Sequence, residues 1–282
     1  RLPKLDWPAA AWKAMLAKDL VPQRKVGNQL APFSPRFDEL GNAVPAVCYK
    51  IPTGGGKTLL AAASLSAILG KLLLKNTGFI LWIVPNEAIY TQTKKALENR
   101  EHPYRQLLDK TAAGRVKLLE KDDRIDERDV EQNLCVMLLM LQSAGRESKE
   151  TLKVFRDRGN VFGFVPYESD AEAHDALKAA IPNLDCYEPS LYTANTPLVK
   201  SSLGNVLKII RPIIVMDEQQ KAYTALAFKT LYSFNPQFVL ELSATPKDLL
   251  PKNEAHYYAN VLVDVMGSEL DREGMIKLPL NV

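Results

Sequence analysis

Residues 46–58 read Ala-Val-Cys-Tyr-Lys-Ile-Pro-Thr-Gly-Gly-Gly-Lys-Thr, and this stretch decides the fold. Ala46–Ile51 is a short, mostly apolar run of the kind that forms a buried strand. From Lys57 to Leu74, apolar and alanine-rich residues recur at helical spacing, which predicts a helix. A strand, a glycine-rich turn and a helix opening on Lys-Thr form the context that a phosphate-binding loop requires. Gly54, Gly55 and Gly56 let successive backbone N–H groups turn inward around phosphate oxygens with no Cβ in the way. The helix N-terminus adds its partial positive charge. The expected ligands are ATP and Mg2+, held by Thr53, Gly54, Gly55, Gly56, Lys57 and Thr58. Lys57 is expected to reach the β- and γ-phosphates as a point charge, and Thr58 to place its hydroxyl on the metal. The first glycine of the general G-x-x-x-x-G-K-[ST] pattern is Ile51 here. The competing reading of the stretch is a glycine-rich turn with an exposed lysine.

Working outward, further apolar runs alternate with helical patterns. Gly78–Val84, Arg115–Leu119, Asn133–Leu141, Pro212–Met216, Phe238–Leu242 and Asn260–Val265 read as strands, and Glu87–Asn99 as a helix. Continuous apolar strands separated by helices predict an α/β fold, a mostly parallel central sheet with helices on both faces. Residues 1–45 read as an N-terminal extension with a helix at Ala9–Leu20, and residues 46–282 as the ATPase domain. Glu120–Glu131 is dense in charge and reads as a solvated loop or helix face. Residues 143–205 read as an elaboration on the core with one helical piece, Asp170–Ala180.

A phosphate loop needs an acid to organise metal and water. Asp217-Glu218 directly follows the Pro212–Met216 run, at the carboxyl end of a strand, where parallel sheets place their ligands. Asp217 is expected in the Mg2+ shell and Glu218 as the base for a water in line with the γ-phosphate. Alone, such an acidic pair is more often a helix cap or surface charge; beside a phosphate loop the catalytic reading leads.

Composition adds bounds. The chain has 282 residues, 46% hydrophobic and 24% charged, enough to build a sizeable core. A net charge of +3 permits nucleic-acid binding without arguing for it. The three cysteines are far apart and form no C-x-x-C pair, so neither a zinc site nor a disulfide framework is expected. No apolar run reaches membrane-spanning length, and no secretory leader pattern opens the chain, so a cytoplasmic protein without membrane contact is expected.

A phosphate loop and an acidic pair leave kinases, GTPases and transporters open. Two more segments narrow the choice: Val84-Pro85-Asn86-Glu87 after the second strand, and Leu242-Ser243-Ala244-Thr245-Pro246 at the end of another. In order, P-T-G-G-G-K-T, I-V-P-N-E, D-E-Q-Q and L-S-A-T-P resemble motifs I, Ia, II and III of superfamily 2 helicases, which also replace the first loop glycine. The chain is most similar to the ATPase (Res) subunit of type III restriction enzymes and related DEAD/DEAH-type bacterial helicases. The tracts Phe37–Pro45, Trp82–Ile89, Ser202–Leu207 and Met275–Leu280 carry that likeness.

The resemblance implies the first of two RecA-like domains of a DNA-dependent helicase or translocase. It implies strand-backbone contacts at Pro85 and Asn86 and at Gln142 and Ser143. Ser243 and Thr245 would link nucleotide state to nucleic-acid grip. Ser and Thr at strand tips also commonly cap a following helix, and Gln142 has a plain loop-satisfying reading. Gln220 stands where relatives usually carry histidine, which puts the coupling of hydrolysis to movement in question. Double-stranded DNA is the expected nucleic acid, and a methyltransferase that carries specificity the expected protein partner. The second RecA-like domain, which supplies an arginine finger, is not found among these residues, so slow turnover of this piece alone is expected. No nuclease set is present; Glu147-Ser148-Lys149 has only its tail. Two other functions stay open: a nucleotide-holding interaction module with little hydrolysis, for which Gln220 speaks, and a non-helicase P-loop enzyme such as a kinase.

Overall fold

Long apolar runs pair with one another because each can satisfy its backbone polar groups only by lateral hydrogen bonding once buried. The computed structural model describes residues 6–26, 28–140, 160–187, 197–218, 225–248 and 256–274. In chain order it contains helix α1 (Trp7–Leu16), strands β1 (Lys25–Val26), β2 (Gln29–Leu30) and β3 (Ala46–Lys50), and helix α2 (Lys57–Ala67). Then come β4 (Gly78–Val84), α3 (Glu87–Glu98), α4 (Pro103–Thr111), β5 (Val116–Leu119), β6 (Ile125–Asp126), α5 (Glu127–Gln132) and β7 (Leu134–Met140). The rest is β8 (Val161–Phe162), α6 (Ala171–Ala180), α7 (Leu203–Ile210), β9 (Ile213–Asp217), α8 (Ala225–Ser233), β10 (Phe238–Ser243), β11 (Val261–Asp264) and α9 (Gly267–Arg272).

Seven strands form one sheet in the order β11-β3-β10-β9-β4-β7-β5. Every neighbouring pair in it is parallel, a stricter result than the mostly parallel sheet read from the sequence. All strand tips of one kind therefore lie along a single edge. The sheet is buried from both sides. Along β4, Phe79, Leu81 and Ile83 join one core cluster, while Ile80, Trp82 and Val84 join the other. The first cluster is covered by Leu203, Val206 and Leu207 of α7 with Phe228 and Leu231 of α8. The second is covered by Ala61 and Leu65 of α2, Leu97 of α3 and Leu108 of α4. This is the helix cover on both faces that continuous apolar strands require.

Three departures have local causes. The helix expected over Lys57–Leu74 is α-helical to Ala67 and continues as a π-helical segment, Ile68–Leu73, ending at Leu74 with φ +52°. The wider turn brings the adjacent Ile68 and Leu69 into the same core. The charge-dense Glu120–Glu131 stretch is a largely solvated loop and helix, as read, with one buried residue. Ile125 is buried in the two-stranded β6-β8 ladder, and α5 opens with a capping box between Asp126 and Asp129. The elaboration ends earlier than residue 205, because Leu203 already belongs to α7 and the core.

The segment before β3 is fastened to the β11 side of the sheet. Arg24 makes a two-pronged contact with Asp248 at 2.8 and 2.6 Å. Buried Arg36 gives hydrogen bonds to the carbonyls of Ser34 and Tyr258 and lies over the rings of Phe228 and Tyr257. Among the described residues no helix is long and apolar enough to cross a membrane.

Candidate active site

The carboxyl ends of the strands present their tips in the order β11, β3, β10, β9, β4, β7. Register aligns them: Ser243 lies opposite Lys50, and Leu242 opposite Asp217. The glycine-rich loop leaves β3, Ser243 ends β10, Asp217 ends β9 and Pro85 follows β4. All four thus face one edge, with β10 between the loop and the acidic pair.

The loop is shaped by its glycines at two positions. Gly54 and Gly56 have φ of +83° and +78°, which only glycine adopts without strain. Gly56 is the N-cap of α2, and no side chain caps that helix start. Gly55 is crowded instead. A Cβ there would stand 2.7 Å from Ile51 Cγ2, 2.7 Å from Leu270 Cδ1 and 3.1 Å from the Pro52 carbonyl oxygen. Ile51, the departure from the general loop pattern, is buried and packs behind Gly55.

Lys57, the first residue of α2, is 9% exposed. Its ammonium reaches across the β10 tip to Glu218, with Nζ 2.7 Å from Oε1. Two strand spacings separate β3 from β9, about 10 Å, a gap the two long side chains close together. Nζ also lies 3.4 Å from the Ile51 carbonyl oxygen. Glu218 holds φ +53°, uncommon for a residue that is neither Gly, Asn nor Asp. Asp217 beside it is 5% exposed. Backbone strain at a carboxylate facing a buried ammonium is the sort of arrangement found where a site must be held in readiness.

The remaining sequence-derived positions divide. Thr58 is half-buried on the first turn of α2, and Thr53 is exposed at the loop's entry. Ser243 is buried, and its Oγ accepts a hydrogen bond from the backbone N–H of exposed Thr245 at 3.1 Å. Asn86 is exposed, and its Oδ1 accepts from the Ile89 N–H at 3.0 Å, making it the N-cap of α3. Pro85 is half-buried just before it. Gln142, Ser143 and Gln220 lie outside the described residues. Leu270 was singled out by no sequence signal. It comes to Gly55 from α9, far along the chain, only because β11 pairs alongside β3.

No curated protein matches the chain. The family model described as type III restriction enzyme, res subunit, matches residues 23–248, a span that includes the glycine loop, the Asp217-Glu218 pair and the Ser243–Thr245 tip. The chain therefore belongs to the res-subunit family of type III restriction enzymes, a family of helicase-type ATPases, and carries its RecA-like domain.

Proposed function

We propose that this domain is the ATP-hydrolysing part of a DNA-dependent translocase of the restriction-subunit type. The observation that carries the reading is the 2.7 Å contact between Lys57 and Glu218 across the β10 tip. A buried ammonium needs an anion, and the loop around it has αL glycines and a helix start without a side-chain cap. These features fit a phosphate chain with a divalent ion. The loop amides and Lys57 would bind phosphate oxygens, and Thr58 with Asp217 would hold Mg2+. The ion, when bound, neutralises charge on the β- and γ-phosphates.

Phosphate oxygens at Lys57 free the Glu218 carboxylate. It then takes a proton from water as the water oxygen attacks the γ-phosphorus and the bond to the bridging oxygen breaks. Ser243 lies between loop and acidic pair, so movement at either reaches the Thr245 backbone through its Oγ. Asn86 is exposed at the neighbouring tip, and its Nδ2 together with the α3 N-terminus suits a nucleic-acid phosphate. An arginine finger from a second RecA-like domain raises turnover in enzymes of this mechanical class. The domain alone is accordingly expected to hydrolyse slowly.

The test is steady-state ATP hydrolysis by the protein with and without double-stranded DNA, single-stranded DNA and RNA. Stimulation by duplex DNA alone is the expected result. No stimulation by any nucleic acid sinks the translocase reading, and equal turnover of parent and Glu218→Gln supports a nucleotide-holding module instead.

A further inference from the structure

We infer that Leu270 is a positioning residue for phosphate binding, pressing the middle of the glycine loop into shape from the β11 side. The inference rests on residues 54–58 being a phosphate loop. Two apolar side chains, Ile51 just after β3 and Leu270 from α9, close on Gly55 at the place where a Cβ would stand, each 2.7 Å from it. At that spacing a side chain on residue 55 would have to displace Ile51 or Leu270. The Gly55 N–H also donates to the Pro52 carbonyl at 3.1 Å, so the turn is fixed from inside as well.

Leu270 is 7% exposed, yet it lies apart from the two main clusters that sandwich the sheet. Four residues earlier, Met266 is 64% exposed. Of these two apolar side chains, the buried one lies against the loop. The chain between β11 and Leu270 is anchored to the loop's own strand. Lys50 pairs with Asp264 at 2.9 Å, and the Val265 N–H donates to the Lys50 carbonyl at 2.9 Å. Glu269 then accepts from the Met266 N–H at 2.7 Å, turning the chain into α9 and laying Leu270 over Gly55. Strand, strap and loop form a closed ring: Lys50, Asp264, Leu270, Gly55 and Ile51.

The consequence is entropic. A loop flanked by two left-handed glycines has many conformations, and a ligand must select the one whose N–H groups converge. A side chain that removes the others strengthens binding without touching the ligand.

The atom-specific test compares Leu270→Val, which lacks the δ carbons, with Leu270→Met, which keeps the reach. Mg·ADP affinity is read by calorimetry, ATP turnover by kinetics and folding by thermal melting. Leu270→Val is expected to weaken Mg·ADP about tenfold and raise KM for ATP in parallel, with kcat within about twofold. Leu270→Met is expected to stay within about twofold of the parent in affinity. Asp264→Asn, which leaves Leu270 intact but loosens the strap, is expected to weaken Mg·ADP about threefold. This arm still decides the matter if the Leu270→Val protein does not fold. A lowered melting point with unchanged Mg·ADP affinity overturns the inference, as does equal weakening by Val and Met. If instead Lys57→Ala leaves Mg·ADP affinity unchanged, the phosphate-loop reading fails, whatever Leu270 does.

Discussion

The two ends of the parallel strands use polar side chains in opposite ways. Before β10, Asn235 is buried and gives its Nδ2 to Asn183 Oδ1 at 3.2 Å and the Lys208 carbonyl at 3.3 Å. It receives Asn183 Nδ2 at 3.0 Å. Beside the start of β3, Asn260 takes the Ser34 N–H at 2.9 Å and donates to the Ser34 and Ala46 carbonyls at 2.9 and 3.1 Å. These amides are matched to fixed partners, and the first network also holds buried Lys208, whose Nζ donates to the Asn183 carbonyl at 2.6 Å and pairs with Asp185 at 3.1 Å. At the carboxyl ends, Lys57 meets Glu218, and both are charges that an ionic ligand can compete for. Left-handed backbone occurs at both ends, but Asn235 at φ +53° carries a residue suited to it, and Glu218 at φ +53° does not. Networks of fixed partners such as that of Asn183, Asn235 and Lys208 specify a structure; an ion pair beside a glycine-rich loop, on a left-handed backbone, is suited to a ligand.

The sharpest way to break this contrast is to remove the charges. Lys57→Ala is expected to lower ATP turnover ~10²–10³-fold, the range seen when one preorganised transition-state donor is lost. Glu218→Gln is expected to fall in the ~10²–10⁴-fold range of a lost general base. Each variant removes one partner of a buried ion pair, so a lowered melting temperature short of unfolding is expected for both by circular dichroism. A collapse of the fold in Glu218→Gln would show that the pair holds the structure, and the two ends would then be alike.

The converse variant is Asn235→Ala. It takes a donor from the buried Lys208 carbonyl, removes a partner from the half-buried Asn183 carboxamide and puts alanine at a left-handed position, at a cost of about 3 kcal/mol in denaturant unfolding. Below the unfolding transition its ATP affinity should match the parent's. An Asn235→Ala protein of normal stability and poor nucleotide binding would reverse the assignment of the two ends.

Much of this contrast was open to reading along the chain. Gly78–Val84 and Asn133–Leu141 are apolar on every residue or nearly so, and only a strand covered on both faces uses such runs. The boundaries moved by a residue or so where backbone pairing stopped, as at β9, which runs to Asp217 rather than Met216. The loop glycines and the acidic pair declared themselves because each chemistry needs those residue types at strand ends. Helices α4, α7 and α8 were not anticipated. Their local signals were present, His102 and Pro103 opening α4 and Ser202 capping α7, but they lay in mixed stretches without a long period. The insertion of β10 between β3 and β9, and with it the reach required of Lys57, is a tertiary choice with no local trace. So is the meeting of Leu270 with Gly55, which depends on β11 lying beside β3. The charged stretch is solvated as its composition reads; only the burial of Ile125, paired with Val161 across the β6-β8 ladder, lay beyond the local pattern.

The smallest expected effect concerns whether the β3 and β7 sides of the sheet open together. Cys48 lies in β3, below the loop, and Cys135 lies in β7, four strands away in the sheet order. Burial pushes the Cys48 thiol well up, and burial with the Asp129 carboxylate pushes Cys135 up to about 12. Alkylation needs thiolate, so neither reacts in the folded chain near pH 8, and each must wait for an opening. The pH matters for sign as well. A raised folded value means that above the ordinary 9.0 the unfolded chain releases a proton the folded one keeps, and stability falls as pH rises. Working at pH 8 keeps that contribution small. Half-buried Cys186 should alkylate first and ignore nucleotide. Mg·ADP at ten times its Kd should slow any global opening about tenfold. Equal slowing at Cys48 and Cys135 means the sheet opens as one unit. Slowing at Cys48 alone means that the β3 side, with the loop and the Asn260 network bonded to it, opens by itself.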